Sequence, residues 1–332
     1  MENRLNYRLV TTACLLAMIV VVLGAYTRLT NAGLGCPDWP GCYGYLVVPH
    51  GAQELAQAHS AFPTSPVETA KAWTEMIHRY CAGTLALLLV AIAGVALWQR
   101  KKTGHPLTIP LTLIALVIFQ AALGMWTVTL KLLPIVVMAH LLGGVAILSL
   151  LWTLRLRLAK AFHFSIPTER LPYKPWAVIG LIIVFFQVAL GGWVSSNYAG
   201  LACIGFPSCN GVLLPPLNLQ HAFSLLFQAG VNNQGGLLDA TSLVTIQMMH
   251  RFGAVFTALY IGGLAIWIIV TAKIKNLRMI ALTLLVVLAI QFILGILNVT
   301  QLLPLSVAVA HNAFATILLL TVVTLIYSLF AN

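Results

Sequence analysis

Four histidines of the 332-residue chain stand in strings that repeat. His78, within Glu75-Met76-Ile77-His78-Arg79-Tyr80, returns as His250 within Gln247-Met248-Met249-His250-Arg251-Phe252, and His140 returns as His311, each pair's second member following Pro134 or Pro304. A neutral imidazole is a metal ligand and a proton carrier. One lone histidine hydrogen-bonded to a loop needs no further explanation, but two pairs in register favour ligation. Two imidazoles leave a tetrahedral zinc site short of ligands, whereas a haem iron needs only axial ones. Small residues nearby (Gly83, Gly124, Gly143, Gly144, Gly253 and Gly295) leave room for a flat macrocycle, or equally for close helix contact.

In charge, the two strings differ at one position. Glu75 precedes His78 by three residues, on the same helical face, while neutral Gln247 precedes His250. A carboxylate there can move protons or stabilise positive charge developing on a substrate; pairing with Arg79 is the plainer use. The asymmetry suggests that the first site reacts and the second transfers electrons. Arg79 and Arg251 could meet the carboxylates of a haem, since guanidinium forms paired bonds to carboxylate, or could reach lipid headgroups. Two matching loops carry Cys36 and Cys42, and Cys203 and Cys209. These suit structural disulfides on an oxidising side, with a redox role open for Cys36 and Cys42. Cys14 and Cys81 fit soft apolar packing, and His50, His59, His105, His163 and His221 fit solvated loops.

The elements that must position these groups follow from composition. The chain is 60% hydrophobic and 8% charged, against roughly 25% charged in a soluble domain. This excludes a soluble enzyme, a disordered chain, a collagen-like fibre and a small disulfide scaffold. Apolar stretches able to cross a hydrocarbon core occur at about 9–28, 76–98, 107–129, 135–154, 176–196, 244–271, 279–299 and 305–330. With the N-terminus inside, 13 of the 18 basic residues fall on the inner side, including Arg100, Arg155, Arg157, Lys160, Arg170 and Lys273. The positive-inside rule then predicts both termini cytoplasmic. The net charge of +11 is therefore a topology signal and implies no nucleic-acid site. The short stretch before the first span is too brief for a transit peptide, and no small-residue cleavage site follows the span, so the expected location is a bacterial cytoplasmic membrane.

Internal similarity sets the architecture. Gly24, Cys36 and Cys42 recur 167 residues on as Gly191, Cys203 and Cys209; Gln120 and His140 recur 171 residues on as Gln291 and His311. Each repeat holds four spans, an even number, so both copies enter the membrane in the same sense. The predicted fold is an all-α polytopic membrane protein of eight transmembrane helices, two pseudosymmetric four-helix bundles related as a parallel internal repeat. The expected domains are residues 1–160 and 161–332.

The string from Thr27 to Pro40, with Arg28, Gly33, Gly35, Cys36, Asp38 and Trp39, then Glu75, His78 and Arg79, the Gln-x-x-Leu-Gly motifs at Gln120 and Gln291, and the four histidines together resemble the haem A synthase family across essentially the whole chain. The resemblance implies oxidation of the C8 methyl of haem O to the formyl group of haem A, for terminal oxidases, by successive hydroxylations whose diol loses water. It implies that His250 and His311 hold a permanent haem b and that His78 and His140 bracket the substrate haem, with Glu75 catalytic. A di-haem, quinol-linked electron carrier is the main rival, but it has no need of the Glu75/Gln247 difference or the cysteine loops. A transporter would tend to break its helices at mid-membrane. The electron-transfer partner, the oxygen source, hand-over from haem O synthase and a homo-oligomeric state stay open.

Overall fold

The computed structural model describes residues 2–103, 107–159, 172–224 and 238–330. Its helices are α1 (Glu2–Leu29), α2 (Ala52–Ala61), α3 (Thr69–Thr103), α4 (Thr108–Thr129), α5 (Pro134–Leu158), α6 (Lys174–Ser196), α7 (Leu219–Ala222), α8 (Ala240–Thr271), α9 (Lys275–Thr300) and α10 (Leu305–Phe330), with a 3-10 turn at Ala199–Leu201. All but α2, α7 and the 3-10 turn are long and apolar enough to span a membrane, which makes eight spans. Within hydrocarbon every backbone N–H and C=O must be bonded internally, so near-continuous apolar runs become helices. The chain is an all-helical multi-pass membrane protein. Among the described residues no strand forms, only the isolated bridges Cys42–Tyr45 and Cys209–Val212. His105, His163, Lys160, Arg170 and the expected boundary between residues 160 and 161 lie outside the described residues.

Two helices depart from the expected spans in an informative way. α3 begins at Thr69 rather than near 76, and α8 begins at Ala240 rather than near 244. The extra turns of α3 carry Lys71 and Glu75, whose charge conceals them from a hydropathy reading. Their cover is protein: Cys36, Cys42, Tyr43, Val48, Ala58, Ala72 and Met76 form one buried cluster. Consequently His78 lies about two and a half turns inside α3, deeper along the helix than a span opening at 76 implied.

α1, α3, α4 and α5 pack in a ring, α1 on α3 and α5, and α4 on both of these. α6, α8, α9 and α10 close a second ring with the same order of neighbours, and α1, α5, α6 and α10 make the seam between them. Several backbone features recur. Tight corners precede α5 and α10, where Lys131 and Leu132, then Leu302 and Leu303, all have positive φ, a conformation rare for such residues. Tyr43 and Asn210 share it, as do Gly44 and Gly211 after them. These recurrences are compatible with the expected parallel repeat. The apolar cores, around Ala13, Leu89, Leu113 and Leu151 in one ring and Ile261, Ile268, Leu284 and Leu325 in the other, fill the end remote from the disulfide loops. The four histidines occupy the loop end.

Candidate functional site

The fold brings the histidines together in two pairs. His78 of α3 faces His140 of α5 with ring centroids 6.5 Å apart and planes at 74°. His250 of α8 faces His311 of α10 at 6.4 Å and 82°. A metal bonded to one nitrogen of each ring at about 2.0–2.1 Å, with nitrogen about 1.1 Å from its ring centre, separates two centroids by about 6.3 Å. Both pairs therefore fit a single metal atom between the rings. Among the described residues no cluster of three or more His, Cys, Asp and Glu side chains is placed to hold a metal ion. Any metal here must bring its equatorial ligands with it, as a macrocycle does.

Glycines seat the rings. A Cβ on Gly24 of α1 would lie 3.0 Å from His78 Cε1, on Gly124 of α4 3.3 Å from His140 Cε1, on Gly191 of α6 3.2 Å from His250 Cε1, and on Gly295 of α9 3.1 Å from His311 Cε1. Each imidazole thus brings its Cε1 corner against the bare backbone of the helix beside it. The sequence pointed to Gly124 and Gly295 as room for a macrocycle; the structure gives them this seating role. Gly83, by contrast, has open space around it. We expect Gly295→Val to push His311 out of register and reduce bound haem several-fold, measured as the low-spin Soret band per protein. Gly263→Val on α8, where a Cβ would meet nothing within 4 Å, should leave the band unchanged. Equal loss in both variants would discount the seat.

Glutamines reach two of the rings and the backbone of a third histidine. Gln120 Nε2 donates to the His140 carbonyl at 2.5 Å, Gln187 Nε2 reaches the His250 carbonyl at 3.0 Å and ring Nδ1 at 3.1 Å, and Gln291 Nε2 lies 3.3 Å from His311 Nε2. Gln120 and Gln187 tuck beneath Gly143 and Gly253, where any side chain would collide with them. Gln187 escaped sequence reading because its repeat partner is Val20, whose backbone bonds His78 instead. The signal that marks it is the mismatch itself, polar Gln187 against apolar Val20, of the same kind as Glu75 against Gln247. Nδ1 of His78, His140 and His311 is buried with no hydrogen-bond partner among the described residues. Buried polar atoms are ordinarily paired, so an orphaned imidazole nitrogen in a facing pair is suited to ligation, and the residues fit an axially held haem.

Glu75 is 4% exposed. Its Oε2 accepts the Cys36 backbone N–H at 3.0 Å, and its Oε1 pairs with Arg79 at 2.5 Å. Gln247 is buried to the same degree, yet only its amide nitrogen has a partner, the Gly200 carbonyl at 3.4 Å, and Oε1 has none. The arginines have uses beyond those expected. Arg79 also donates to the Asp38, Pro40 and Gly41 carbonyls, and Arg251 donates to Ser208 and Cys203 carbonyls at 3.1 and 2.6 Å. Each clamps the cysteine loop above its own histidine. Both loops are closed, Cys36–Cys42 and Cys203–Cys209, with Cα–Cα distances of 4.7 and 4.8 Å. Gly35 lets the first loop touch α3, since a Cβ there would come within 2.5 Å of the Lys71 carbonyl carbon. His50, His59 and His221 are exposed and lie apart from the pairs.

A cavity of about 480 Å³ opens around the second pair, lined by His250, His311, Gln187, Gln291, Arg251 and Phe292 among others. That volume lies within the usual range for small-molecule sites, about 300–1,000 Å³.

Comparison with known proteins finds relatives along nearly the whole chain. The model of the cytochrome oxidase assembly protein family COX15-CtaA matches residues 7–323. A heme A synthase of Shewanella oneidensis is 46% identical over 312 residues, covering 94% of this chain and 93% of its own. Heme A synthases of Allorhizobium ampelinum and Rickettsia prowazekii are 28% and 25% identical, covering 96% and 100% of this chain and 89% and 100% of theirs.

Proposed function

We propose a reaction from a firm premise: this chain belongs to the COX15-CtaA family of cytochrome oxidase assembly proteins. It acts as a membrane haem-modifying oxidoreductase, oxidising the C8 methyl of haem O to the formyl group of haem A for terminal oxidase assembly. The observation that carries this reading is the doubled imidazole clamp, 6.5 and 6.4 Å across, with a buried carboxylate beside one clamp and a neutral amide beside the other.

In this reading residues 1–160 form the substrate bundle, where His78 and His140 grip haem O, and residues 161–332 form the second bundle, where His250 and His311 hold a resident haem b. That haem, when bound, supplies one-electron transfer. The protein's own groups do the rest. The clamps and their glycine seats fix the plane of each ring. The closed cysteine loops cover both sites and exclude water. Glu75, held by Arg79 and the Cys36 N–H, keeps lone pairs free to accept a proton as the methyl carbon is oxidised. Each hydroxylation removes two electrons and delivers one oxygen, and loss of water from the diol leaves the aldehyde. Arg251 meets a propionate of the resident haem with donors not spent on its loop, and Arg79 stands in the matching place for the substrate. The chain lies in a bacterial cytoplasmic membrane with both termini cytoplasmic, in line with the placement of its basic residues. Its partners are membrane lipid, haem O synthase as donor and an electron-transfer protein.

The test is direct. Haem extracted from cells that make haem O, with and without this protein, should differ by a formyl-bearing species with the mass and pyridine haemochrome spectrum of haem A. Absence of that species from cells that accumulate the folded protein would overturn the reading.

A further inference from the structure

Arg28, in the last turn of α1, leaves its own bundle. Its Nη2 donates to the Ser195 carbonyl at 2.5 Å and the Ser196 carbonyl at 3.4 Å, at the end of α6, and its guanidinium lies 3.8 Å from the centre of the Tyr198 ring. It lines the cavity that also exposes His250, His311 and Arg251. Nε of Arg28 and Nε of Arg251 are both buried without a partner among the described residues. A cation within a membrane protein is costly unless paired, and marks a functional site by default.

Among the described residues neither guanidinium has a carboxylate partner. Of the acids expected on the loop side, Asp38 accepts the Tyr43 and Gly44 N–H groups, Glu54 those of His50 and Gly51, and Asp239 that of Ser242. Glu68 pairs with Lys71 and Glu75 with Arg79. Residues 225–237 contain no acid at all. The cavity therefore presents two positive charges and a pair of imidazoles, and lacks the anions.

We propose that Arg28 binds one carboxylate of the tetrapyrrole held by His250 and His311, with Arg251 facing the other. This rests on the assignment of the resident haem made above and adds to it a ligand from the opposite bundle. It also explains why one haem stays while the other exchanges. The repeat partner of Arg28 is Ser195, 167 residues on, and the charge of Arg79 is already cancelled by Glu75. The second site thus has two uncompensated cations for a dianionic ring, whereas the arginine beside the first pair of histidines is neutralised by Glu75. The resident haem also pins the seam, since its iron ligands and one of its carboxylate partners come from different bundles.

The test uses the full-length protein stripped of haem and titrated with haem b or with haem b dimethyl ester, which keeps the iron and loses both carboxylate charges. Binding is read from the low-spin Soret band. The wild type should prefer haem b by at least about tenfold, the effect of charge-assisted pairing in a dry site. Arg28→Gln can still donate to the Ser195 carbonyl but carries no charge, and it should reduce that preference by about tenfold; Arg28→Lys should retain most of it. An unchanged preference in Arg28→Gln overturns the proposal while leaving the resident haem in place. A wild type that does not distinguish haem b from the ester overturns it without any variant, even if Arg28→Gln fails to fold. A wild type that binds neither overturns the haem assignment itself.

Discussion

Glu75→Gln is expected to leave bound haem intact and to lower haem A output by about 100-fold or more, the scale of a lost proton-transfer group. The geometry separates this from a structural failure. Glutamine keeps an oxygen to accept the Cys36 N–H, now bonded to Oε2 at 3.0 Å, and Gln247 occupies the matching place in the other bundle at equal burial. The variant loses the ion pair with Arg79, whose side chain is 13% exposed. Arg79 keeps its bonds to three loop carbonyls, so the stability lost should be at the low end of the about 3–5 kcal/mol that follows removal of one partner of a buried ion pair. Haem content, melting temperature and haem A yield should be measured on one preparation. Near-normal yield would remove the catalytic assignment. A fall in yield that tracks a fall in haem content would make Glu75 a loop anchor only.

Replacing His250 or His311 by Ala should abolish the resident low-spin haem, with less than about a tenth of the wild-type band remaining, because an axial position cannot be filled by a methyl group. The fold should survive this change. For His311 the lost bond is the one between its Nε2 and Gln291 at 3.3 Å, while its Nδ1 has no partner among the described residues; one hydrogen bond is worth only about 1 kcal/mol net. For His250 the lost bond is that to Gln187, which still reaches the backbone carbonyl. His78→Ala is the contrast: the resident spectrum should persist while haem A synthesis stops. An unchanged low-spin spectrum after both His250 and His311 were replaced would place the resident haem elsewhere. Loss of the band in His78→Ala alone would exchange the roles of the two bundles.

Much of the candidate site was legible before any fold was known. The four histidines, the Glu75/Gln247 difference and the two cysteine pairs are visible because a duplicated chain carries its own comparison, and a mismatch between partners marks a place where the two sites must differ. Eight spans were legible for a simpler reason: hydropathy is a sum over neighbours in sequence, and a membrane tests it directly. The same property explains the error at α3, where Lys71 and Glu75 lowered the local sum although Glu75 is buried and Ala72 and Met76 beside them pack into the loop cluster.

What the sequence determined by itself is therefore what depends on neighbours along the chain or on the repeat: span number, the matching of ligand positions and the asymmetry beside them. Only the tertiary structure decided how far apart the rings stand, that glycines on adjacent helices seat them, that Arg79 and Arg251 are shared with the loops, and that Arg28 crosses to Ser195 and the second cavity. These are contacts between residues distant in sequence. Their geometry is set by how closely two helix backbones approach and by which buried donors still lack an acceptor once every local bond is made, and neither quantity exists until the helices are packed.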